Sequence, residues 1–551
     1  MKSGELIKAM NHPLPIEQDP RNGIRSYLTT CLIMVFFTWY AHFLWKRRYL
    51  YIHSWKVEGP FSFPLIGCGY LFLGNGTDII KTLVKIQQKV SSGLTRIWLG
   101  PKLIYLISEP KHLEIILNHP KALEKENVYK FIAEAIGQGL LTAPAKKWKQ
   151  HRKVLAPSFN QKVLDSFVEI FAKHSITFVE KLKDVVGQKN IDLYPLASRC
   201  TLGNICQTAM GVNINVQKEG REFGVLLERV MEVINHRIFK VWAHLDFIWH
   251  FSPLKASSEK YLKKLYAFSG SLVSKKLAEH NKKLELEKSF LDAEIEEEPY
   301  KRLAFLDLIL MNSQFTETEL DDEVKVFMAA GTETTASSIC CLFTLLGMHP
   351  ISARGDIRTT NHGIGQLLLN STTWSNTQRV YEEVIDILGH DRIVIASDLP
   401  KLKYTERVIK ENLRIFPIAA VFARSLEEDI DIGDALLPAG SSAAFITLFI
   451  HRNPKYWRDP LKFDPDRFLP EEVAKRHPCT YIPFSYGPRN CIGRVNFHYE
   501  KLISIYLSKL NNKYFIIQKI YTEYKSVEEI EINLYLLMRM RDGPKVWLEN
   551  R

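Results

Sequence analysis

From Thr316 to about Met348 the chain keeps helical register for some thirty residues without a proline, opening on the capping-box pattern Thr316-Glu317-Thr318-Glu319. At roughly 1.5 Å per residue such a helix crosses a whole domain, so the remaining elements must be arranged about it. Between Val326 and Met348 it is apolar on nearly all sides, which marks it as buried. A transmembrane span has the same look, but Glu333 sits among Thr332, Thr334, Thr335, Ser337 and Ser338, a costly set in lipid. The run Ala330-Gly331-Thr332-Glu333-Thr334-Thr335 is therefore a polar notch in an apolar rod, and buried polar groups need partners or a purpose. A hydroxyl beside a carboxylate can pass protons. Threonine hydroxyls can also bond back to carbonyls one turn earlier and only bend the helix.

A second constraint is Phe484-Ser485-Tyr486-Gly487-Pro488-Arg489-Asn490-Cys491-Ile492-Gly493, a Gly/Pro-rich loop ahead of a helical pattern that runs through Leu502. It presents the Cys491 sulfur at a helix N-terminus, which favours thiolate. Gly487 and Gly493 leave room for a flat macrocycle, and Arg489 can neutralise an anionic group on the same ligand. The chemistry implied is one thiolate on haem iron. A buried free cysteine in a turn is the plain alternative. Five fixed positions (Phe484, Gly487, Arg489, Cys491, Gly493) would co-occur by chance on the order of once in 10^4 chains of this length.

The 551 residues, 46% hydrophobic and 24% charged, can bury a large core. A net charge of +12 suits an acidic partner or an anionic surface. No basic tract interleaved with aromatics points to nucleic acid. Eight cysteines without zinc or disulfide spacing fit a reducing compartment. Residues 26–45 form an uncharged stretch just long enough to cross a bilayer, closed by Lys46-Arg47-Arg48, and read as a membrane anchor with the following domain on the cytoplasmic side. A cleaved signal peptide needs a shorter apolar core and a small-residue cleavage site. Residues 1–25 are then an N-terminal extension, 46–67 a hinge stiffened by Gly59-Pro60, Pro64 and Gly67, and 68–551 the catalytic domain. Alternation from Leu94 to Ile107 about Gly100-Pro101 predicts a hairpin, and most of the chain beyond it has helical periodicity. The fold class expected is mainly α with a small β-sheet region. Phe239, Trp242, Phe247, Trp249 and Phe251 suit a lid or membrane-facing surface, with core the default for each taken singly.

Trp148 and Arg152 lie four apart on one helix face, where an indole donor and a guanidinium suit a carboxylate; an exposed basic helix is the alternative. Glu411 and Arg414 stand one turn apart ahead of Pro417.

Together these runs resemble the cytochrome P-450 family, over roughly residues 50–551 and in the family's order. Gly139 through Phe159, with Trp148 and Arg152, and Glu323, Phe327, Gly331 and Thr334 resemble its microsomal family 4 members. The resemblance implies a haem b cofactor held by Cys491 as axial iron ligand, with Phe484, Gly487, Arg489 and Gly493 around it. It places Trp148, Arg152 and Arg424 at the propionates, and gives Glu333 and Thr334 the acid and alcohol roles in oxygen activation. Glu411, Arg414 and Arg467, the last within Pro465-Asp466-Arg467-Phe468, take a structural role behind the thiolate. The implied reaction inserts one oxygen atom from O2 into a lipophilic substrate (fatty acid, hormone or xenobiotic). Electrons come from NADPH through NADPH–cytochrome P-450 reductase, with cytochrome b5 as a further partner, at the endoplasmic reticulum membrane.

Three positions depart from that pattern. Ala330 stands where many family 4 enzymes carry a glutamate esterified to haem, and cannot form that ester. Phe497 replaces a small residue that lets a helix pass close to the porphyrin. Residues 351–377, rich in Ser, Thr, Asn and Gly, separate Met348-His349-Pro350 from Gln378 where relatives run almost directly on; a retained intron or a misplaced exon boundary would give such a segment. Two other readings remain: a haem-thiolate isomerase or peroxidase needing no reductase, and a degenerate haem-binding membrane protein.

Overall fold

The structure, a computed structural model, describes residues 20–63, 65–74, 76–214, 219–289, 305–311, 315–349, 376–389, 392–495, 497, 519–534 and 537–549. The chain divides into two units, Met1–Val57 and Glu58–Arg551, with the boundary inside the expected 46–67 hinge. The first unit holds an anchor helix, Pro20–Lys46, followed by Arg48–Trp55. Its stretch Arg25–Lys46 has a mean hydropathy of 1.5 and none of it is buried in protein. Three hydroxyls that would otherwise be costly in lipid are satisfied within the helix: Thr29, Thr30 and Thr38 donate to the carbonyls of Arg25, Ser26 and Met34 at 2.6, 2.9 and 2.8 Å. Arg47 and Arg48 fold back over the rings of Phe43 and Trp45 at 4.2 and 4.5 Å, an aromatic and basic band of the kind that marks a membrane boundary.

The second unit is built on the central helix, Glu317–Gly347, whose capping box forms as the sequence indicates: Glu319 N–H donates to Thr316 Oγ1, and Thr316 N–H donates to Glu319 Oε2 at 3.1 Å. Both this helix and the anchor are apolar enough to span a bilayer, but 83% of the central helix's apolar window is buried, which makes it a core helix. It feeds three separate cores: Leu320 to Met328 into one, Ala336 to Phe343 into a second, and Cys341 to Leu346 into the third. Against it packs the helix Tyr194–Thr208. Gly331 permits the approach, since a β carbon there would lie 2.7 Å from the Ile205 side chain.

The expected hairpin pairs Leu94–Leu99 with Lys102–Ile107 about Gly100. Two later strands extend it: Ser442–Ile446 runs parallel to the second strand, and Val421–Ser425 forms the edge. That edge strand makes an isolated bridge from Arg424 to Lys125. The helix Lys403–Ile415 carries Glu411 and Arg414, both fully buried. Arg414 Nε and Nη2 bind the Glu411 carboxylate at 2.6 and 2.8 Å, and Arg467 Nε approaches it at 3.4 Å. Arg414 Nη1 also donates to the carbonyls of His451 and Pro460, so one guanidinium ties the helix to the loop chain leading to Cys491.

The aromatic run behaves unevenly. Trp249 is buried, whereas Phe247 and Phe251 are 77% and 72% exposed, so core is not where those two rings go. Residues 351–375 of the expected insert lie outside the described residues. Its last residue, Thr377, donates from Oγ1 to Leu346 O at 2.9 Å, tying the start of the helix Asn376–Leu388 to the end of the central helix.

Candidate active site

The Cys491 loop is shaped by backbone that only certain residues tolerate. Gly487 has φ +71°, and a β carbon there would sit 2.1 Å from Leu117 O; Ser485 is also left-handed at +61°. Cys491 N–H donates to Phe484 O at 3.0 Å, closing the loop. Arg489 turns inward, with Nη1 on Leu123 O and Nη2 on Ala143 O, while its Nε has no partner among the described residues. Among the described residues nothing lies within 4 Å of the position a Gly493 β carbon would take.

Cys491 keeps accessible surface, yet burial pushes its thiol up, opposed by the Gly493 amide and the charges of Arg152 and Arg494. The Cys491 side chain is therefore both exposed and surrounded by enough protein to disfavour its charged form. Cys479 differs: it has no exposed surface, and burial pushes its thiol up to about 12.

Through Arg489 the loop joins a concentration of positive charge. Lys125, Arg424 and Arg489 feel one another: burial and then the two arginines hold Lys125 well below its ordinary value, and burial and then Arg424 bring Arg489 down to about 10. Arg424, 2% exposed, donates to Ala423 O at 3.3 Å and lies 5.6 Å from the Phe422 ring, and burial lowers it too, opposed by Tyr129. Among the described residues no carboxylate lies within ion-pair distance of any of the three. Arg424 and Arg489 are buried and Lys125 half-buried, with Glu124, among the described residues, the one carboxylate whose charge acts on Arg489; cations so enclosed need anions, and an anionic edge such as a pair of propionates fits them. Trp148 lies under Arg489, the guanidinium 5.2 Å from its ring. Arg152 instead grips Asn490, through O at 3.0 Å and Oδ1 at 2.9 Å.

On the central helix Ala330 and Thr334, one turn apart, retain surface where most of the helix is buried. Thr334 Oγ1 donates to Ala330 O at 2.7 Å, the back-bonded arrangement. Glu333, 2% exposed, has both oxygens engaged elsewhere: Oε2 accepts from Arg539 Nη2 at 2.6 Å, and Oε1 from the Tyr194 hydroxyl. Arg539 also binds Glu228 at 2.8 Å. Burial opposes the Arg539 charge, but Glu333 and Tyr194 outweigh it and raise its pKa; burial, then Glu333, raise that of Tyr194, which stays protonated. Phe497 is buried edge-on to Phe484, ring centroids 5.3 Å apart, within the core that holds Phe416 and Leu448.

Lys125, Tyr194 and Arg539 were missed by sequence reasoning. Lys125 could have been flagged only by its pairing with the Arg424 strand, and neither Tyr194 nor Arg539 stands in a local pattern that marks it.

Comparison with known proteins agrees with this geometry. The cytochrome P450 family model matches residues 57–353 and 359–495, and the chain belongs to that family. It is 34% identical to cytochrome P450 4c21 of Blattella germanica over 459 residues, covering 82% of this chain and 86% of that one. Cytochrome P450 4c3 of Drosophila melanogaster is 32% identical over 462 residues, 82% of each chain, and human cytochrome P450 4V2 is 31% identical over 465 residues, 82% and 83%. The relatives are family 4 members, and membership makes this chain a haem-iron oxidoreductase of the monooxygenase class.

Proposed function

We propose that the protein is a membrane-anchored monooxygenase that inserts one oxygen atom of O2 into a lipophilic substrate, a fatty acid, hormone or xenobiotic, with electrons passed from NADPH by a flavoprotein reductase and aided by cytochrome b5. The observation that carries this reading is the cluster of Lys125, Arg424 and Arg489, which has no carboxylate within ion-pair distance among the described residues and whose Arg489 stands two positions before the exposed Cys491. Cys491 would ligate the iron and these cations, with Trp148 and Arg152, would hold the propionates. Bound haem with a thiolate ligand supplies oxygen binding and O–O cleavage.

The protein's own groups do the rest. Phe484, Gly487 and Gly493 shape the thiolate loop, and the Glu411–Arg414–Arg467 knot braces it. The partly exposed Thr334 hydroxyl takes the alcohol role in passing protons, and Glu333, one residue earlier, takes the acid role once its carboxylate, held here by Arg539 and Tyr194, is released to pick up a proton. The anchor is assigned to residues 26–45 and the catalytic domain to 68–551, on the cytoplasmic side of the endoplasmic reticulum; the apolar helix Pro20–Lys46 supports this. The experiment is the carbon monoxide difference spectrum of the reduced full-length protein, then NADPH consumption with reductase. A thiolate-type spectrum and reductase-dependent product formation are expected. No haem uptake refutes the reading; a thiolate spectrum with product formed only from peroxide, or by isomerisation, refutes its reductase step.

A further inference from the structure

Glu323 is fully buried, on the central helix seven residues before the exposed Ala330. A carboxylate with no exposed surface is retained only where its oxygens are spent. One, Oε2, accepts from Leu140 N–H at 3.0 Å; the other, Oε1, lies 2.6 Å from His151 Nδ1. Its neighbours one turn earlier and one residue before grip the same region: Glu319 reaches Lys147 at 3.3 Å and His151 Nε2 at 3.6 Å, and Asp322 accepts from Gln138 N–H at 2.9 Å. The turn is shaped to admit them, since a β carbon on Gly139 would sit 3.1 Å from Glu323 Oε2.

His151 lies between Trp148 and Arg152 in the basic helix Ala145–Leu155. Successive helical residues are about 100° apart, so fixing the azimuth of one side chain fixes the others. Hydrogen bonds at two points, Leu140 before the helix and His151 within it, set its rotation and its position along the axis. Apolar contact alone would let it slide. That rotation brings Arg152 to Asn490, beside Cys491, and Trp148 to Arg489. We infer that Glu323, acting through His151, is a positioning residue that sets the cofactor-binding face of the basic helix against the Cys491 loop. The inference rests on the proposed binding of haem at Cys491.

The test uses full-length holoprotein in detergent and follows haem transfer to excess apomyoglobin well below the unfolding temperature, with the melting temperature measured alongside. Glu323→Leu/His151→Leu replaces the polar clamp with an apolar pair, an exchange buried pairs often tolerate. It is expected to fold, melt within a few degrees of wild type and lose haem about ten-fold faster, the scale of one charge-assisted hydrogen bond at the cofactor's edge. Glu323→Gln, which keeps an acceptor for Leu140 and a partner for His151, should stay within about two-fold of wild type. Val233→Ala, in the separate small cluster with Ala243 and Trp249, should lower the melting temperature without hastening haem loss. A folded double variant that releases haem at the wild-type rate overturns the inference, as does Glu323→Gln or Val233→Ala losing haem as fast as the double variant. If the double variant does not fold, His151→Ala is judged by the same criterion. A wild-type chain that takes up no haem refutes the haem reading instead.

Discussion

Arg539→Met would remove the cation from a carboxylate with almost no access to water. Glu333 is 2% exposed and divides its oxygens between Arg539 Nη2 and the Tyr194 hydroxyl. Breaking a buried pair from one side costs about 3–5 kcal/mol. The Tyr194 bond survives the substitution, which trims that figure, while loss of the contact with Glu228, 42% exposed, adds less than about 1 kcal/mol. The expected destabilisation is about 3 kcal/mol, on the order of a hundred-fold in the folded-to-unfolded ratio. Replacing both partners, Arg539→Met with Glu333→Leu, leaves no orphaned charge and should restore all but about 1 kcal/mol. Urea unfolding of the full-length protein in detergent, followed by tryptophan fluorescence and checked for reversibility, measures all three. If Arg539→Met costs less than about 1 kcal/mol, or if the double variant is no more stable than the single one, the ion pair does not brace the central helix.

Cys491→Ser should abolish the thiolate-type carbon monoxide spectrum while Cys479→Ser leaves it, because Cys491 is exposed and Cys479 is buried; survival of that spectrum in Cys491→Ser removes the proposed ligand. Acidic organic solvent should extract all the haem, since Ala330 has no carboxyl to esterify it, and porphyrin left on the polypeptide would contradict this. The Thr316 amide, acting against partial burial and aided by the Thr316 hydroxyl and Lys147, holds the Glu319 carboxyl at about 2 against an ordinary 4.5. A carboxyl depressed in the folded state stabilises fully above its unfolded pKa and loses that contribution as pH falls through the folded one. Glu319→Gln should therefore cost about 1–2 kcal/mol at pH 7 after allowance for solvent screening, with the gap closing as pH drops below about 4.5; a gap independent of pH between 7 and 3.5 in urea titrations counts against the capping box as its source.

What the sequence made legible was local in origin. The central helix announced itself by an unbroken period and a four-residue cap, and the Cys491 loop by glycines and an arginine at fixed spacing, because both signals are written within a few turns of chain. The partners of Glu333 were not legible: Arg539 is 206 residues away and Tyr194 is 139, and nothing periodic links them. Lys125 reaches Arg424 only because a short bridge extends the sheet edge. The two uses open to the threonine notch could not be separated by composition; in the structure the Thr334 hydroxyl is back-bonded to Ala330 O and the residue stays partly exposed. Phe247 and Phe251 were indistinguishable from core residues for the same reason: hydrophobicity states a preference for leaving water, and says nothing of which apolar surface receives the ring.

The hydrogen bond from Thr377 to Leu346 joins the two ends between which residues 351–375 are interposed. Closing a chain between points already held together costs only logarithmically in its length, about 0.6 kcal/mol for each doubling. That hydrogen bond, between two side-by-side helix ends, sets where the helix Asn376–Leu388 begins against the central helix independently of the length of chain between them.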